Sequence, residues 1–199
     1  IDIMEGVEDI PGSALVEGMP WGAWESFPEY LDFLDTRKFS IDVGTQIAHG
    51  ALRFYVMGER GTDNEDATPA EIAEMAQLTK EAMDAGALGF STSRTIGHRS
   101  LSGSPVPGTF AAEEELVAIA NAMGKGVFEA IPAGTVGALE ALGGEKAKPV
   151  EEVMMLADVS RKSGRPITFT TVQIAEDIDH WRIRRSMNRL YAHSFWGQC

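Results

Sequence analysis

Polar side chains that could act on a substrate follow, or lie within, apolar segments at four places in the chain. His49 and Arg53 come after the first segment, Ser93 follows the second, Glu129 lies inside the third and Gln173 follows the fourth. A histidine or a carboxylate can transfer protons, and a carboxylate can also bind a metal ion. If the segments are parallel strands, their carboxyl ends meet at one edge of the sheet, where the active sites of such proteins lie. We therefore predict that His49 and Glu129 are catalytic. The predicted substrate contacts are Arg53, Ser93 and Gln173.

Three of these residues also have a purely structural interpretation. Burying an unpaired carboxylate is costly, so Glu129 is expected to pair with a cation, a metal ion or a hydrogen-bond donor unless it lies on an exposed strand face. His49 could instead be a hydrogen-bonded histidine at the end of a strand, and Arg53 could form an ion pair inside the protein. The sequence alone leaves these alternatives open.

A long connection, roughly residues 93–111, follows the second apolar segment and contains His98. Loops of this length in compact domains are usually functional or disordered. We predict that His98 contacts substrate, and the alternative is a solvated side chain.

Common catalytic motifs do not fit the chain. Residues 89–93 imitate a nucleophile elbow, but Ser93 replaces the final glycine and a loop is expected to follow instead of a helix. The four histidines show no ligand spacing such as His-x-His, so they predict no local metal site.

Helix start and stop signals divide the chain into regular units. Thr68 is predicted to cap a helix that starts at Pro69 and stops at Gly86, with Glu71 completing a capping box. Further helices are predicted from Glu113 to a stop at Gly124, from Pro149 to a stop at Gly164, and from Asp177 onward.

The apolar segments that alternate with these helices are predicted strands. They span 41–48, 87–91, 126–131 and 167–172, and a last one begins near Phe195. This alternation indicates βα units and a parallel sheet. The chain holds about four such units and a fifth strand, whereas a complete (β/α)₈ barrel needs about 250 residues. The predicted fold class is therefore α/β, either as a small open sheet or as a partial TIM-type barrel.

Composition excludes several classes of function. The 199 residues include 17 Lys and Arg and 30 Asp and Glu, which gives a formal net charge of −13. This charge argues against nucleic-acid binding and against a polybasic membrane surface. No apolar run approaches the roughly 18 residues of a membrane span. The single cysteine, Cys199, excludes a disulfide within the chain and favours a cytoplasmic location.

Several stretches of the chain together resemble the N-acyl-D-amino-acid deacylases (D-aminoacylases) of the amidohydrolase superfamily. The similarity is strongest between Gly18 and Ile131, and order and spacing agree over most of the chain. The stretches that carry it are Pro20 to Asp32, Ala48 to Gly58, Ala67 to Met75, Glu81 to Ser93, Pro105 to Pro107 and Gly164 to Thr170.

The resemblance implies a zinc-dependent hydrolase with a TIM-type barrel and a small β domain. Such an enzyme cleaves the amide bond of N-acyl-D-amino acids or related compounds. The metal ion would lower the pKa of a bound water or polarise the carbonyl, and a carboxylate would act as general base and then as acid.

The chain also departs from the family pattern. The family's His-x-His element and metal-binding cysteine would lie before Ile1, and its catalytic aspartate would lie after Cys199. The two later strands carry no histidine, and Glu129 is placed where a histidine ligand is lost. The resemblance therefore implies that residues 1–199 are the central part of a catalytic barrel of a divergent branch, with an altered metal centre. A cyclic-amide hydrolase is one alternative. Another is an inactive barrel piece that self-associates through its open edges.

Overall fold

The structure is a computed structural model of the protein. It describes residues 1–135, 149–171, 182, 185 and 195–198. Five strands form one parallel sheet in the order β1-β2-β3-β4-β5. They are β1 (Ile47–Ala48), β2 (Gly89–Ser93), β3 (Val127–Ile131), β4 (Ile167–Thr170) and β5 (Phe195–Gln198).

Eight helices precede or connect these strands in the described part of the chain. They are α1 (Asp2–Glu8), α2 (Gly12–Gly18), α3 (Phe27–Asp35), α4 (His49–Met57), α5 (Glu59–Thr62), α6 (Pro69–Ala85), α7 (Glu113–Ala122) and α8 (Pro149–Ser163). Helices α6, α7 and α8 pack side by side in chain order.

The local signals in the sequence explain where α6 begins and ends. The Thr68 hydroxyl accepts a hydrogen bond from the Glu71 amide, and the Glu71 carboxylate accepts one from the Thr68 amide. Pro69 occupies the first turn, where its missing N–H group costs nothing. Gly86 follows the helix with φ at 124°, a conformation that residues with a side chain rarely adopt. The predicted capping box and helix are confirmed.

Register divides the sheet into two chemically different faces. Ser91, Glu129 and Thr168 are paired across β2, β3 and β4. Because side chains alternate along a strand, these three lie on one face, which we call the polar face. Phe90, Phe128 and Ile167 are paired in the neighbouring register and lie on the opposite face. They belong to the hydrophobic core with side chains of α6, α7 and α8, so we call this the helix-covered face.

The first two observed strands differ most from their predicted bounds. Of the predicted strand 41–48, the segment Ile47–Ala48 alone pairs with β2. Ile41, at the other end, is 77% exposed. Strand β1 lies at the edge of the sheet, so the residues before it have a neighbour strand on one side only. The second strand is shifted two residues toward the carboxyl terminus, to Gly89–Ser93. Most residues of the helix predicted from Asp177 lie outside the described part of the chain.

Among the described residues, no helix is both long enough and apolar enough to cross a membrane.

Candidate functional site

Glu129 lies at the centre of the polar face and is held there by a glutamine. The Gln46 Nε2 group donates a hydrogen bond of 3.0 Å to Glu129 Oε2. Both side chains are partly buried. The other amide atom, Gln46 Oε1, is buried and finds no donor among the described residues. A carboxylate on the face of a parallel sheet, next to an unused acceptor, is suited to bind a donor group or to take up a proton.

A serine and a histidine meet at the carboxyl end of β2. Ser93 Oγ and His98 Nδ1 are joined by a hydrogen bond of 2.9 Å. Partial burial lowers the pKa of His98 below its ordinary value, and the negative charge of Glu8 opposes that shift. The ring therefore stays neutral at pH 7, and its Nδ1 atom is oriented by Ser93. The structure thus brings these two predicted substrate contacts together.

His49 belongs to a different environment, on the helix-covered side of the sheet. It is the first residue of α4, it is 1% exposed, and its ring lies 5.1 Å from the ring of Phe90. His49 Nε2 lies 2.7 Å from Glu115 Oε1, and Nδ1 lies 2.8 Å from Thr92 Oγ1. Both ring nitrogens are therefore engaged within the protein.

Arg53 is buried in the same cluster, one helical turn after His49. Its Nη1 donates to both oxygens of Glu115, at 2.7 and 2.5 Å, and its Nη2 donates to the Glu65 carbonyl at 2.5 Å. This arrangement is the internal ion pair that the sequence left open as the alternative for Arg53. We call His49, Arg53 and Glu115, with Thr92, the buried cluster.

The protonation states in the buried cluster follow from burial and charge. Burial works to raise the pKa of Glu115, but the hydrogen bonds from His49 and Arg53 and the positive charge of Arg53 outweigh it, and the pKa lies below its ordinary value. Burial lowers the pKa of His49 in spite of Glu115. Since the Glu115 carboxylate can only accept, a neutral His49 carries its proton on Nε2 and accepts from the Thr92 hydroxyl at Nδ1. The cluster thus contains one positive and one negative charge.

The sheet separates the two residues that the sequence predicts to be catalytic. Thr92, the partner of His49, alternates with Ser91 and Ser93 and so lies on the face opposite Glu129. The structure therefore groups Glu129 with Gln46 and groups Ser93 with His98, but it places His49 and Arg53 elsewhere. Gln173 lies outside the described residues.

Sequence reasoning missed Gln46 and Glu115. Glu115 follows two other glutamates at the start of a helix, where acidic residues are expected for the helix dipole alone. Its burial is a consequence of tertiary packing. Gln46 stood inside a predicted strand, and its alternation with Ile47 was the available signal that it lies on the polar face.

An apolar cavity of about 460 Å³ lies beside the edge strand β1. Its lining includes side chains from α3, α4 and α6, among them Phe27, Tyr30, Leu52, Tyr55 and Leu78. Gln46 and Ala48 also line it, so it reaches the strand that borders the polar face.

The family model described as Amidohydrolase family matches residues 1–194. The chain belongs to the amidohydrolase family. A D-aminoacylase of Alcaligenes xylosoxydans xylosoxydans is 38% identical over 69 residues, which are 35% of this chain and 14% of that protein. An uncharacterized protein of Mycobacterium tuberculosis is 33% identical over 93 residues, which are 45% of this chain and 15% of the relative.

Two solved structures have the same fold. A D-aminoacylase crystal structure matches 87% of this amidohydrolase chain with a TM-score of 0.67 and 20% identity. An N-acyl-D-glutamate deacylase from Bordetella bronchiseptica, complexed with zinc and a phosphonate inhibitor, matches 86% with a TM-score of 0.64 and 18% identity. The amidohydrolase chain spans 33% of the length of each. The resemblance to D-aminoacylases and the fold class, a partial TIM-type barrel, are confirmed.

The described residues do not form a zinc site by themselves. Zinc in proteins is usually held by three or four Cys, His, Asp or Glu side chains. No group of three or more such side chains is arranged to hold a metal ion in the described part of the chain. The ring nitrogens of His49 are both in use, and Nδ1 of His98 is in use. Among the residues of strands β1 to β4, Glu129 is the one whose side chain is of a type that binds zinc, and it lies on the polar face.

Proposed function

We propose that residues 1–199 are the central part of an amidohydrolase catalytic barrel, and that the intact protein hydrolyses an amide bond. The observation that supports this most is Glu129, which lies on the polar face of the middle strand with Gln46 as its partner. In a closed barrel of parallel strands, the face opposite the helices points inward, and the carboxyl ends of the strands border the active site.

Glu129 has the chemistry required of a general base. Its carboxylate can take a proton from the attacking water and return it to the departing nitrogen, so atoms and charge balance over the two steps. The amide donor of Gln46 would orient the Oε2 atom and leave Oε1 of the carboxylate for this transfer. Ser93 and His98, at the end of the neighbouring strand, would contact the substrate.

The proposed substrates are N-acyl-D-amino acids or related amides. Support comes from the D-aminoacylase relatives and from the N-acyl-D-glutamate deacylase with the same fold. The metal ion of the whole protein would be zinc, as in that deacylase structure. Glu129 is a candidate ligand in place of its role as general base. The described residues do not enclose a zinc ion by themselves. The cytoplasmic location stays a prediction.

Release of free amine tests the substrate class. The purified intact protein, supplied with zinc, is incubated with N-acyl-D-amino acids, their L enantiomers and a cyclic amide, and new primary amine is measured. Faster release from the D compounds than from the others is expected. Release from the cyclic amide alone would contradict the proposed class while keeping the family.

The edge of the sheet favours a second candidate, a non-catalytic assembly piece. Beside β1 the apolar cavity is accompanied by exposed side chains, with Tyr55 at 56% and Ile41 at 77%. Unpaired strand edges and exposed apolar surface promote association. A chain that releases no amine but forms oligomers in sedimentation experiments would support this candidate over the hydrolase.

A further inference from the structure

The side chain of Asn64 holds the segment 105–108 through three hydrogen bonds. Its Nδ2 group donates to the carbonyls of Pro105 and Val106, both at 3.1 Å, and its Oδ1 accepts from the Gly108 amide at 2.9 Å. Asn64 lies in the left-handed region with φ at 57°. Among residues with side chains, asparagine adopts this conformation most readily, and it carries the donors and the acceptor that the segment needs.

The backbone that carries Asn64 is itself fixed to the buried cluster. The neighbouring Glu65 carbonyl accepts from Arg53, whose guanidinium is bound to Glu115. On the other side, Gly108 lies directly against His49, since a methyl group built on Gly108 would lie 2.6 Å from Nδ1 of the ring. The segment 105–108 is therefore held between Asn64 and His49.

His98 is attached to the same segment. The Val106 amide donates to the His98 carbonyl at 3.1 Å, and Arg99 forms an antiparallel bridge with Pro105. The ring of His98 then meets Ser93 at the carboxyl end of β2. A continuous series of hydrogen bonds thus runs from Asn64 through Val106 to His98 and Ser93.

We propose that Asn64 is a positioning residue, whose side chain holds the segment 105–108 and thereby sets His98 against Ser93 at the edge of the polar face. This role deepens the proposed function, because His98 is a substrate contact there. The effect of Asn64 on the position of His98 does not require catalytic activity, so hydrogen exchange and histidine titration can detect it in an inactive chain.

The test variant is Asn64→Gly, because glycine keeps the left-handed backbone and removes the side chain alone. We expect hydrogen exchange at the Gly108 amide to accelerate about tenfold or more, since the acceptor is lost. We also expect the pKa of His98, followed by NMR and assigned with His98→Gln, to rise toward its ordinary value as the ring becomes more hydrated.

Asp63→Gly is the matched control. It introduces a glycine at the adjacent, exposed position and leaves the hydrogen bonds of Asn64 in place. If Asn64→Gly changes neither the Gly108 exchange nor the His98 titration beyond this control, the proposal is wrong. If Asn64→Gly does not fold, Asn64→Asp replaces it, because an aspartate cannot donate to Pro105 and Val106. An unchanged exchange rate at the Val106 amide, which donates to the His98 carbonyl, would then equally overturn the proposal.

A role of Asn64 in catalysis is tested separately, by measuring KM and kcat of the Asn64→Gly variant of the intact enzyme. Displacement of His98 should raise KM more than it lowers kcat, because a substrate contact is lost while Glu129 is unaffected. A chain without any amidase activity would refute the proposed function and leave the exchange and titration results to decide the role of Asn64.

Discussion

Replacing Glu115 by glutamine should destabilise the protein strongly, because it breaks the buried cluster. Glu115 and Arg53 are both 1% exposed, and the carboxylate accepts from Arg53 and His49. In Glu115→Gln one oxygen becomes an NH₂ group that must face an N–H donor of Arg53 or His49. Removing one partner of a buried ion pair costs ~3–5 kcal/mol, since the remaining charge stays buried. Arg53 is already short of one acceptor among the described residues, at Nε.

That loss is large compared with the free energy of unfolding of an ordinary domain, ~5–15 kcal/mol. For a chain of this size, a loss near the lower limit lowers Tm by about 6 to 12 °C. The assay is thermal and urea unfolding followed by circular dichroism. The matched control is Glu114→Gln, which makes the same charge change at the exposed neighbouring residue. A Glu115→Gln variant as stable as the control would refute the account of the buried cluster.

Further predictions concern pH and one glycine. Because the pKa of His49 is lowered by folding, the unfolded chain takes up a proton near pH 6.5 that the folded chain does not. The free energy of unfolding should therefore fall as pH drops below about 6.5, by at most ~1.4 kcal/mol per pH unit for this group, and the fall should be smaller in His49→Gln. Gly108→Ala should lower the stability of the protein more than Gly103→Ala. Both glycines have positive φ, at 96° and 86°, so the backbone cost is similar. A methyl group at Gly108 would meet the ring of His49, whereas nothing lies within 4 Å of the Gly103 position. Equal unfolding temperatures for the two variants would argue against close packing of the segment 105–108 on His49.

Local signals allowed helices α6, α7 and α8 and the parallel sheet to be predicted from the sequence, whereas helices α1 to α5 were not predicted. Thr68, Pro69 and Gly86 act through their own backbone neighbours, so their effect is visible in a short window of residues. The edge strand was harder, because the pairing of 41–46 depends on a neighbouring strand and not on the apolar pattern alone. Strand β1 has two residues, whereas the apolar pattern predicted a strand of eight.

The grouping of the candidate site residues could be predicted from the sequence only in part, for a reason of geometry. Glu129, Ser93 and His98 could be selected because they are polar residues within or after apolar segments. Whether a polar residue at a strand end faces one side of the sheet or the other depends on a single residue of register. His49 begins a helix instead of extending β1, and it turns toward Thr92 on the helix-covered face. Asn64 and Glu115 act across 42 and 62 residues of sequence, and no short pattern records contacts of that range.

The most direct test of the central claim compares the rate of amine release by wild type, Glu129→Gln and Glu114→Gln at saturating N-acyl-D-amino acid. Loss of a general base lowers the rate by about 100-fold or more. We expect that loss in Glu129→Gln and a wild-type rate in Glu114→Gln. Full activity in Glu129→Gln would contradict the claim that Glu129 on the polar face carries the chemistry.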